Sequence, residues 1–364
     1  MTLSLYLARR FLRAFLIVAG AFWGMLFLIE MVEKIRSLAA TQGALAEAAE
    51  RAALSVPQAL YTILPLVTVL AAVVLFLGLA RSSELVVIRA AGRSAMRMLV
   101  APVALALLLG VLAVAVGNPI VSATSSRAAE LEGARGSAST VALGREGVWM
   151  RQGTEGGGQA VIRAARANRD ATELTDVTFL IFDPSEGPVR RIDAARARLA
   201  PGAWELSDTK DWPLGTSTNP ERDASRAETL HIATELTAQS IADSFGDPSA
   251  VPVWELLGFI QSLEAAGFSA RRHLVWLQGE LALPFVLAAM VLIAAAFTMR
   301  PARFGGTGAR VLFALAGGLG VFFLRNVARV LGDNGQIPVA LAAWAPPAIA
   351  LMLATTLILQ QEDG

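Results

Sequence analysis

The sequence predicts an α-helical membrane protein in which six transmembrane helices carry an all-β domain between the third and the fourth helix. The chain has 364 residues, 55% of them hydrophobic, and a mean hydropathy of +0.55, well above the average of soluble domains. Residues 119–272 contain no stretch that could span a membrane. Six other stretches reach the roughly 20 apolar residues that a helix needs to cross a bilayer. They are 11–31, 60–80, 99–117, 274–299, 311–331 and 337–360.

The first of these stretches predicts a retained helix. It is too long for the apolar part of a signal peptide, and Glu30-Met31-Val32-Glu33-Lys34 follows it where a small-residue cleavage site would stand. The chain thus divides into an N-terminal transmembrane half (1–118), an inserted domain with a connecting helix (119–272) and a C-terminal transmembrane half (273–364).

Basic residues predict the orientation. They are concentrated at the start of the chain, between the second and third helices and between the fourth and fifth helices. Since short cytoplasmic loops carry an excess of Lys and Arg, we expect both termini in the cytoplasm and the inserted domain on the opposite side. These residues are Arg9, Arg10, Arg13, Arg81, Arg89, Arg93, Arg97, Arg300, Arg303 and Arg310.

Composition excludes several classes of function. The formal net charge of +1 gives no reason to expect nucleic acid as a partner. The absence of cysteine excludes disulfides, a thiol nucleophile and a cysteine metal site, and His231 and His273 lie too far apart in sequence for a metal-binding spacing. The motifs G-x-x-x-x-G-K-[ST], G-x-S-x-G and H-E-x-x-H do not occur. We therefore expect no cofactor, no metal and no enzymatic activity.

The inserted domain reads as short strands separated by turns that contain Gly and Pro. Such a spacing predicts a sandwich or an open barrel. The domain then serves either as a rigid docking scaffold or as a container whose interior holds acyl chains, and the periodicity leaves both open. An amphipathic helix over 251–267 leads back to the membrane. The predicted strands are 147–152, 159–165, 176–183, 189–199, 203–208 and 228–236.

One short segment, RSSELVVIRAAGRS (81–94), predicts a cytoplasmic helix. Ser82 or Ser83 can cap its start, Glu84 suits its positive N-terminal end, and Gly92 can end it. Four contiguous apolar residues, 85–88, make one turn apolar on every side, so the helix needs a surface to cover it. A groove on a partner protein and the membrane interface are the two alternatives.

Several stretches together resemble one known family. The order of three helices, a β-rich insertion and three helices resembles the LptF/LptG lipopolysaccharide export permeases. So do the local stretches RSSELVVIRAAGRSAMRM, WELLGFIQSLEAAGFSARRHLVWLQGELALPFVLAAMVLIAAAF and GLGVFFLRNVARVLGDNGQIPVALAAWAPPAIALMLA. The resemblance covers nearly the whole chain, and the opening segment is more similar to the LptG branch than to the LptF branch.

The resemblance implies a function and a set of partners. The inserted domain would be a periplasmic β-jellyroll in a bacterial inner-membrane protein, and the cargo would be lipopolysaccharide. The partners would be an LptF-like permease subunit, two LptB-like cytoplasmic ATPase subunits, an LptC-like single-span regulatory subunit and an LptA-like periplasmic bridge. Alternatives are the sister LptF role and a membrane docking or signalling protein without transport. An ion-coupled carrier is disfavoured, because Glu30, Glu280 and Arg325 lie nearer the outer face than the midplane.

The resemblance also implies a coupling helix over about 82–92. Glu84 would meet a basic residue of the ATPase, and Leu85, Val86 and Ile88 would fill its groove. Arg89 and Gly92 complete the set of expected coupling residues.

A cargo with phosphates and acyl chains needs apolar walls and a cationic rim. Arg325 and Arg329 are spaced i, i+4 near the outer end of the fifth helix, and Lys34 and Arg36 lie at the outer end of the first. For Lys34, Arg36 and Arg329, snorkelling to the interface is an equal alternative. Glu30 lies in the same zone, and we expect it to pair with Arg325 when the cavity is empty.

Small residues predict close packing of the helices. Gly78 lies in the second predicted helix, and three further glycines (Gly317, Gly318 and Gly320) lie in the fifth. A lipid-facing wall is the alternative for the same residues.

Overall fold

The computed structural model contains two compact units. The first comprises Met1–Ala129, Ser249–Trp254 and Arg271–Gly364, and the second comprises Glu130–Pro248 and Glu255–Ala270. The structure describes residues 2–38, 44–90, 94–133, 141–144, 147–153, 158–168, 172–183, 187–215, 217, 219–234, 236–237, 241, 248–265, 269–299 and 307–363.

Helices build the first unit, which we call the membrane unit. A π-helical turn, Ala113–Gly117, joins α5 to α6, and a 3₁₀ turn, Pro248–Ala250, precedes α7. Its helices are α1 (Thr2–Leu38), α2 (Ala44–Thr62), α3 (Leu64–Arg81), α4 (Glu84–Ala90), α5 (Ala95–Leu112), α6 (Asn118–Gly133), α8 (Arg271–Thr298), α9 (Thr307–Asp333) and α10 (Val339–Asp363). The intervening helix α7 (Val253–Ala265) belongs mainly to the second unit.

Six helical segments of the described chain are long and apolar enough to cross a membrane, which confirms the predicted fold class. Two boundaries differ from the prediction. The chain breaks at Ile63, so the predicted span 60–80 is divided between α2 and α3, and α2 itself was not predicted. The third segment continues through the π turn into α6. The six segments are Leu3–Arg36, Leu64–Arg81, Ala95–Ala128, Arg271–Thr298, Thr307–Asp333 and Val339–Gln361.

The core of the membrane unit surrounds α8, which packs against α3, α5, α9 and α10. Its segment from Leu283 to Ala296 is apolar on all sides and almost continuously buried. By contrast, α1 and α9 have few buried residues. A helix that is apolar all round belongs in a core, whereas these two keep broad apolar faces uncovered.

Glycines allow three of the helix contacts. A Cβ at Gly318 would lie 2.9 Å from Val69 Cγ1, and one at Gly317 would lie 3.1 Å from Ile293 Cγ2, so the predicted packing role is confirmed for both. Gly320 has no atom within 4 Å of such a Cβ. The tightest approach was not predicted: a Cβ at Gly110 in α5 would lie 2.4 Å from the Pro284 Cα in α8.

The substitution Gly110→Ala should therefore force α5 away from α8. We expect it to lower the free energy of unfolding by roughly 1–3 kcal/mol, the usual cost of overpacking a core. Thermal unfolding of the purified protein in detergent measures the change. Gly20→Ala in α1 is the matched control, because a Cβ there meets nothing within 4 Å. Equal melting temperatures for the two variants would contradict the tight contact.

Seven strands build the second unit, the β unit. They form one antiparallel sheet in consecutive order, and six were predicted; β1 was not. They are β1 (Val141–Gly144), β2 (Gly147–Gly153), β3 (Gln159–Ala167), β4 (Glu173–Asp183), β5 (Gly187–Ala200), β6 (Ala203–Pro213) and β7 (Ser225–Ala233).

The sheet curls until its two sides meet. Thr234, directly after β7, donates a hydrogen bond of 2.7 Å to Gln152 Oε1 in β2, although four strands lie between them. Phe179 and Trp204 pack edge to face on the buried side, with ring centroids 6.3 Å apart. Of the sandwich and the open barrel that the sequence left open, this single curled sheet is closer to the open barrel.

A row of irregular residues bends the sheet. The regular pairing skips one residue in each of five adjacent strands, and the skipped residues stand in register. Asp176 and Asp208 in this row have φ angles of 52° and 53°. Asp tolerates this left-handed conformation better than most residues. The row consists of Ala165, Asp176, Ala195, Asp208 and Glu228.

Position 208 requires a residue that can adopt a positive φ angle. Asp208→Val should destabilise β6, because a β-branched residue is strained at positive φ by about 1–2 kcal/mol. Asp208→Gly should be tolerated. Amide hydrogen exchange of the full-length protein should rise about tenfold across β5–β7 in the valine variant only. Ser207→Val, one residue earlier at an ordinary φ, is the control. Equal exchange in the valine and glycine variants would refute the strain.

Candidate functional site

The turn between α3 and α4 sets the position of the short helix. Ser83 adopts a φ of 59°, and its carbonyl oxygen accepts the Val86 amide at 3.1 Å. The Ser82 hydroxyl donates to the Gly78 carbonyl oxygen at 3.0 Å and to Glu84 Oε1 at 2.7 Å. The predicted cap of α4 by the Ser82 side chain is therefore wrong, since that side chain bonds the end of α3.

Glu84 has its basic partner within the same chain. Arg10 Nη1 in α1 donates to both carboxylate oxygens at 2.8 Å, and the Tyr6 hydroxyl donates to Oε2, also at 2.8 Å. Burial alone would raise the pKa of Glu84, but the hydrogen bonds from Arg10, Ser82 and Tyr6 hold that pKa below its ordinary value. That Glu84 also meets a basic residue of a partner protein stays a prediction, since its side chain is partly exposed.

The apolar turn of α4 is divided between two surroundings. Leu85 (1% exposed) and Ile88 (8%) are buried in the core of the membrane unit, whereas Val86 (41%) and Val87 (67%) are exposed. The prediction that Leu85 and Ile88 fill a partner's groove is therefore wrong, and the outward face is Val86 with Val87. Four contiguous apolar residues cover every side of a helical turn, so the pattern could not distinguish the two faces.

Two further expected coupling residues are less fully described. The backbone of Arg89 belongs to α4, but its side chain lies outside the described part of the structure. Gly92 also lies outside the described residues.

A second polar cluster lies toward the outer end of the bundle. Glu280 in α8 is 1% exposed and accepts a hydrogen bond from the Tyr61 hydroxyl in the last turn of α2. Asn118, fully buried at the start of α6, lies beside Tyr61 and Glu280, and its Oδ1 accepts the Val253 amide at 2.8 Å. Tyr61 and Asn118 carried no sequence signal, because single polar residues at the ends of apolar spans are common.

Arg325 faces this cluster from α9. It interacts electrostatically with Glu280 and Tyr61, but within the described part of the chain it forms no hydrogen bond or ion pair. Glu280 thus takes the place that we expected Glu30 to have. Glu30, in α1, forms no hydrogen bond or ion pair with any described residue. A membrane-embedded arginine without a direct counter-ion among the described residues is energetically costly.

The other expected rim residues lie in two groups. Arg329 stands one turn after Arg325, 4.4 Å from the Trp276 ring centroid and 3.8 Å from Asp333 Oδ2. Lys34 and Arg36 lie in the last turns of α1. Among the described residues, no hydrogen bond or ion pair joins α1 to Arg325 or Arg329. The structure therefore brings Arg325, Arg329 and Glu280 together, and it leaves Glu30, Lys34 and Arg36 as a separate group.

Uncovered apolar side chains accompany both groups. On α1 they include Ile17 (72% exposed), and on α9 Phe323 (58%). Others on these helices are Leu16, Trp23, Met25, Leu28, Ile29, Val32, Leu312, Phe313, Leu319, Leu324, Val327 and Val330. Apolar faces of this extent are typical of contact with lipid or with another membrane subunit.

The six apolar spans and the inserted curled sheet define a multi-pass membrane permease, a transport subunit rather than a catalytic enzyme. Over residues 5–360 the sequence matches the family of the lipopolysaccharide export system permease LptF/LptG, and the chain belongs to this family. It is 23% identical over 372 residues to the lipopolysaccharide export system permease protein LptG of Haemophilus influenzae; the match covers 100% of this chain and 99% of that protein. The resemblance drawn from the sequence is confirmed, including its preference for LptG.

Proposed function

We propose that this chain is the LptG-type permease subunit of an ATP-driven exporter that extracts lipopolysaccharide from the inner membrane. The observation that carries the proposal is Arg325, which forms no ion pair with any described residue and lies on a helix whose apolar face is uncovered. A guanidinium suits a phosphate of the lipid, and the apolar wall suits its acyl chains. In this proposal Arg329, Lys34 and Arg36 extend the cationic rim, and Glu30 lies among them.

The uncovered faces of α1 and α9 argue for a cavity shared with a second subunit. An LptF-like permease would supply the opposite wall, so neither chain encloses the cargo alone. The distribution of basic residues supports cytoplasmic termini and a periplasmic β unit. That β unit would receive the lipid and pass it to an LptA-like bridge of similar domains, with an LptC-like single-span subunit beside the permease.

Energy would come from two LptB-like ATPase subunits, because the sequence contains no phosphate-binding loop. The contact on this chain would be the outward face of α4. Val86 and Val87 are exposed there, while Leu85 and Ile88 anchor the helix to the bundle. This is a helix-in-groove contact in which the permease supplies the helix.

Arg325→Gln tests the cargo site. In proteoliposomes that hold this chain, the sister permease and the ATPase, we expect transfer of lipopolysaccharide to the bridge protein to fall about tenfold, the loss of one charge-assisted hydrogen bond. ATP hydrolysis should stay within about twofold of the wild type, a change of less than 1 kcal/mol. Arg310→Gln, the same change at the opposite end of α9, is the control.

Lipid without phosphate groups sharpens this test. With dephosphorylated lipid A as cargo, wild type and Arg325→Gln should transfer equal amounts, since the arginine then has no anion to bind. A difference that persists with this cargo would assign Arg325 to helix packing instead.

Val87→Asp tests the outward face of α4. A carboxylate placed in an apolar groove should reduce co-purification of the ATPase at least about tenfold, as for a central interface residue. Leu359→Asp, at another exposed apolar residue near the end of α10, is the control and should retain the ATPase. If Val87→Asp retains the ATPase as well as the control does, α4 rests on the membrane surface, and the coupling role is refuted.

A further inference from the structure

The N-terminal part of the long helix α1 packs into the core of the bundle, and its C-terminal part packs against α2. Leu7, Phe11, Ala14 and Phe15 are buried and recur at the spacing of one helical face. From Leu16 to Arg36 no residue of α1 is buried. The helix has 37 residues and is about 55 Å long at 1.5 Å per residue. Its fully buried residues thus lie near its N-terminus, and the rest of the helix is only partly covered.

Arg10 lies within the attached segment and reaches the short helix α4. Its Nη1 donates to both oxygens of Glu84 at 2.8 Å and to the Tyr6 hydroxyl at 2.6 Å. Gly78 leaves room for the guanidinium, because a Cβ there would lie 3.2 Å from Arg10 Nη2. The Tyr6 hydroxyl, one turn earlier in α1, donates to the same carboxylate and orients it.

The two kinds of contact at α4 differ in what they transmit. The apolar contacts of Leu85 and Ile88 do not depend on a particular orientation of the two helices, so one helix can slide over the other while the contacts persist. Charge-assisted hydrogen bonds to both oxygens of one carboxylate fix distance and angle together. A shift of α4 must therefore carry Arg10 with it, or break these bonds.

We propose that Arg10, oriented by Tyr6, is a positioning residue that transmits the movement of α4 directly to α1. The inference rests on the proposed coupling role of α4 and extends it. Because α1 is one continuous helix that packs against α2 along its C-terminal half, a shift at Arg10 moves that half and its contact with α2. That half carries an uncovered apolar wall, so movement of α4 narrows or widens the lateral opening without relying on α3 and α5 alone.

The test compares matched variants of the assembled complex with its ATPase and sister permease. Arg10→Gln and Glu84→Gln each break the pair, and the exchange Arg10→Glu with Glu84→Arg restores it in reverse. Arg10→Lys keeps the charge but loses the planar guanidinium, and it serves if the exchange does not fold. Arg9→Gln removes a neighbouring exposed cation of the same helix and is the control. Co-purification, ATP hydrolysis and lipopolysaccharide released per ATP are measured for each.

We expect Arg10→Gln and Glu84→Gln to retain the ATPase and hydrolyse ATP, but to release about tenfold less lipopolysaccharide per ATP, a typical coupling factor. The exchange should recover most of the loss, Arg10→Lys part of it, and Arg9→Gln should match the wild type. If the Arg10→Gln variant releases as much lipopolysaccharide per ATP as the wild type, the inference is overturned. Loss of ATPase binding in every form, wild type included, would instead refute the proposed function.

A distance measurement gives an independent readout. The chain has no cysteine, so nitroxide labels can be placed at Leu28→Cys in the outer half of α1 and Ala340→Cys at the start of α10. On addition of a nonhydrolysable ATP analogue, the distance between the labels should change in the wild-type background and stay constant with Arg10→Gln. An equal change in both backgrounds would show that α1 moves without this contact.

Discussion

Burial of α8 is the constraint on which the membrane unit depends. From Leu283 to Ala296 this helix is apolar on all sides and almost continuously buried. It becomes the centre, and α3, α5, α9 and α10 pack around it. Gly110 lets α5 approach Pro284 closely, at the point where α8 lacks one backbone donor. With the centre filled, α1 and α9 remain at the periphery, and their uncovered faces become the available walls for cargo or partner.

In both polar clusters of the bundle, a tyrosine hydroxyl donates a hydrogen bond to a carboxylate. A carboxylate in a largely apolar setting needs donors, and the chain has two tyrosines, each of which supplies one: Tyr6 to Glu84 and Tyr61 to Glu280. An arginine accompanies each carboxylate, but in different ways. Arg10 bonds Glu84 directly, which suits a mechanical link. Arg325 lies near Glu280 without bonding it, which leaves the guanidinium available to an anion.

The curled shape of the β unit is accompanied by unusual backbone conformations at a few residues. Each strand of this antiparallel sheet is hydrogen-bonded to the strands before and after it in the sequence. We attribute the curl of the sheet to the row of residues that contains Asp176 and Asp208. The bond between Thr234 and Gln152 then links strands that are far apart in the sheet order. The interior is lined by side chains such as Phe179 and Trp204, and the alternation of buried residues along the strands shifts by one residue at this row.

Length and periodicity alone determined much of this protein: six spans, a β-rich insertion and six of the seven described strands. These features are local, because each depends on how many apolar residues follow one another and at what spacing. The family was recognised from the resemblance of several stretches, which the match over residues 5–360 confirms. The tertiary structure decided the rest. It selected which side of α4 is buried, and it joined Glu84 to Arg10 across 74 residues and Glu280 to Tyr61 across 219. Several arginines and carboxylates were equally eligible by sequence, and only the packing of the helices brings one particular pair within hydrogen-bonding distance.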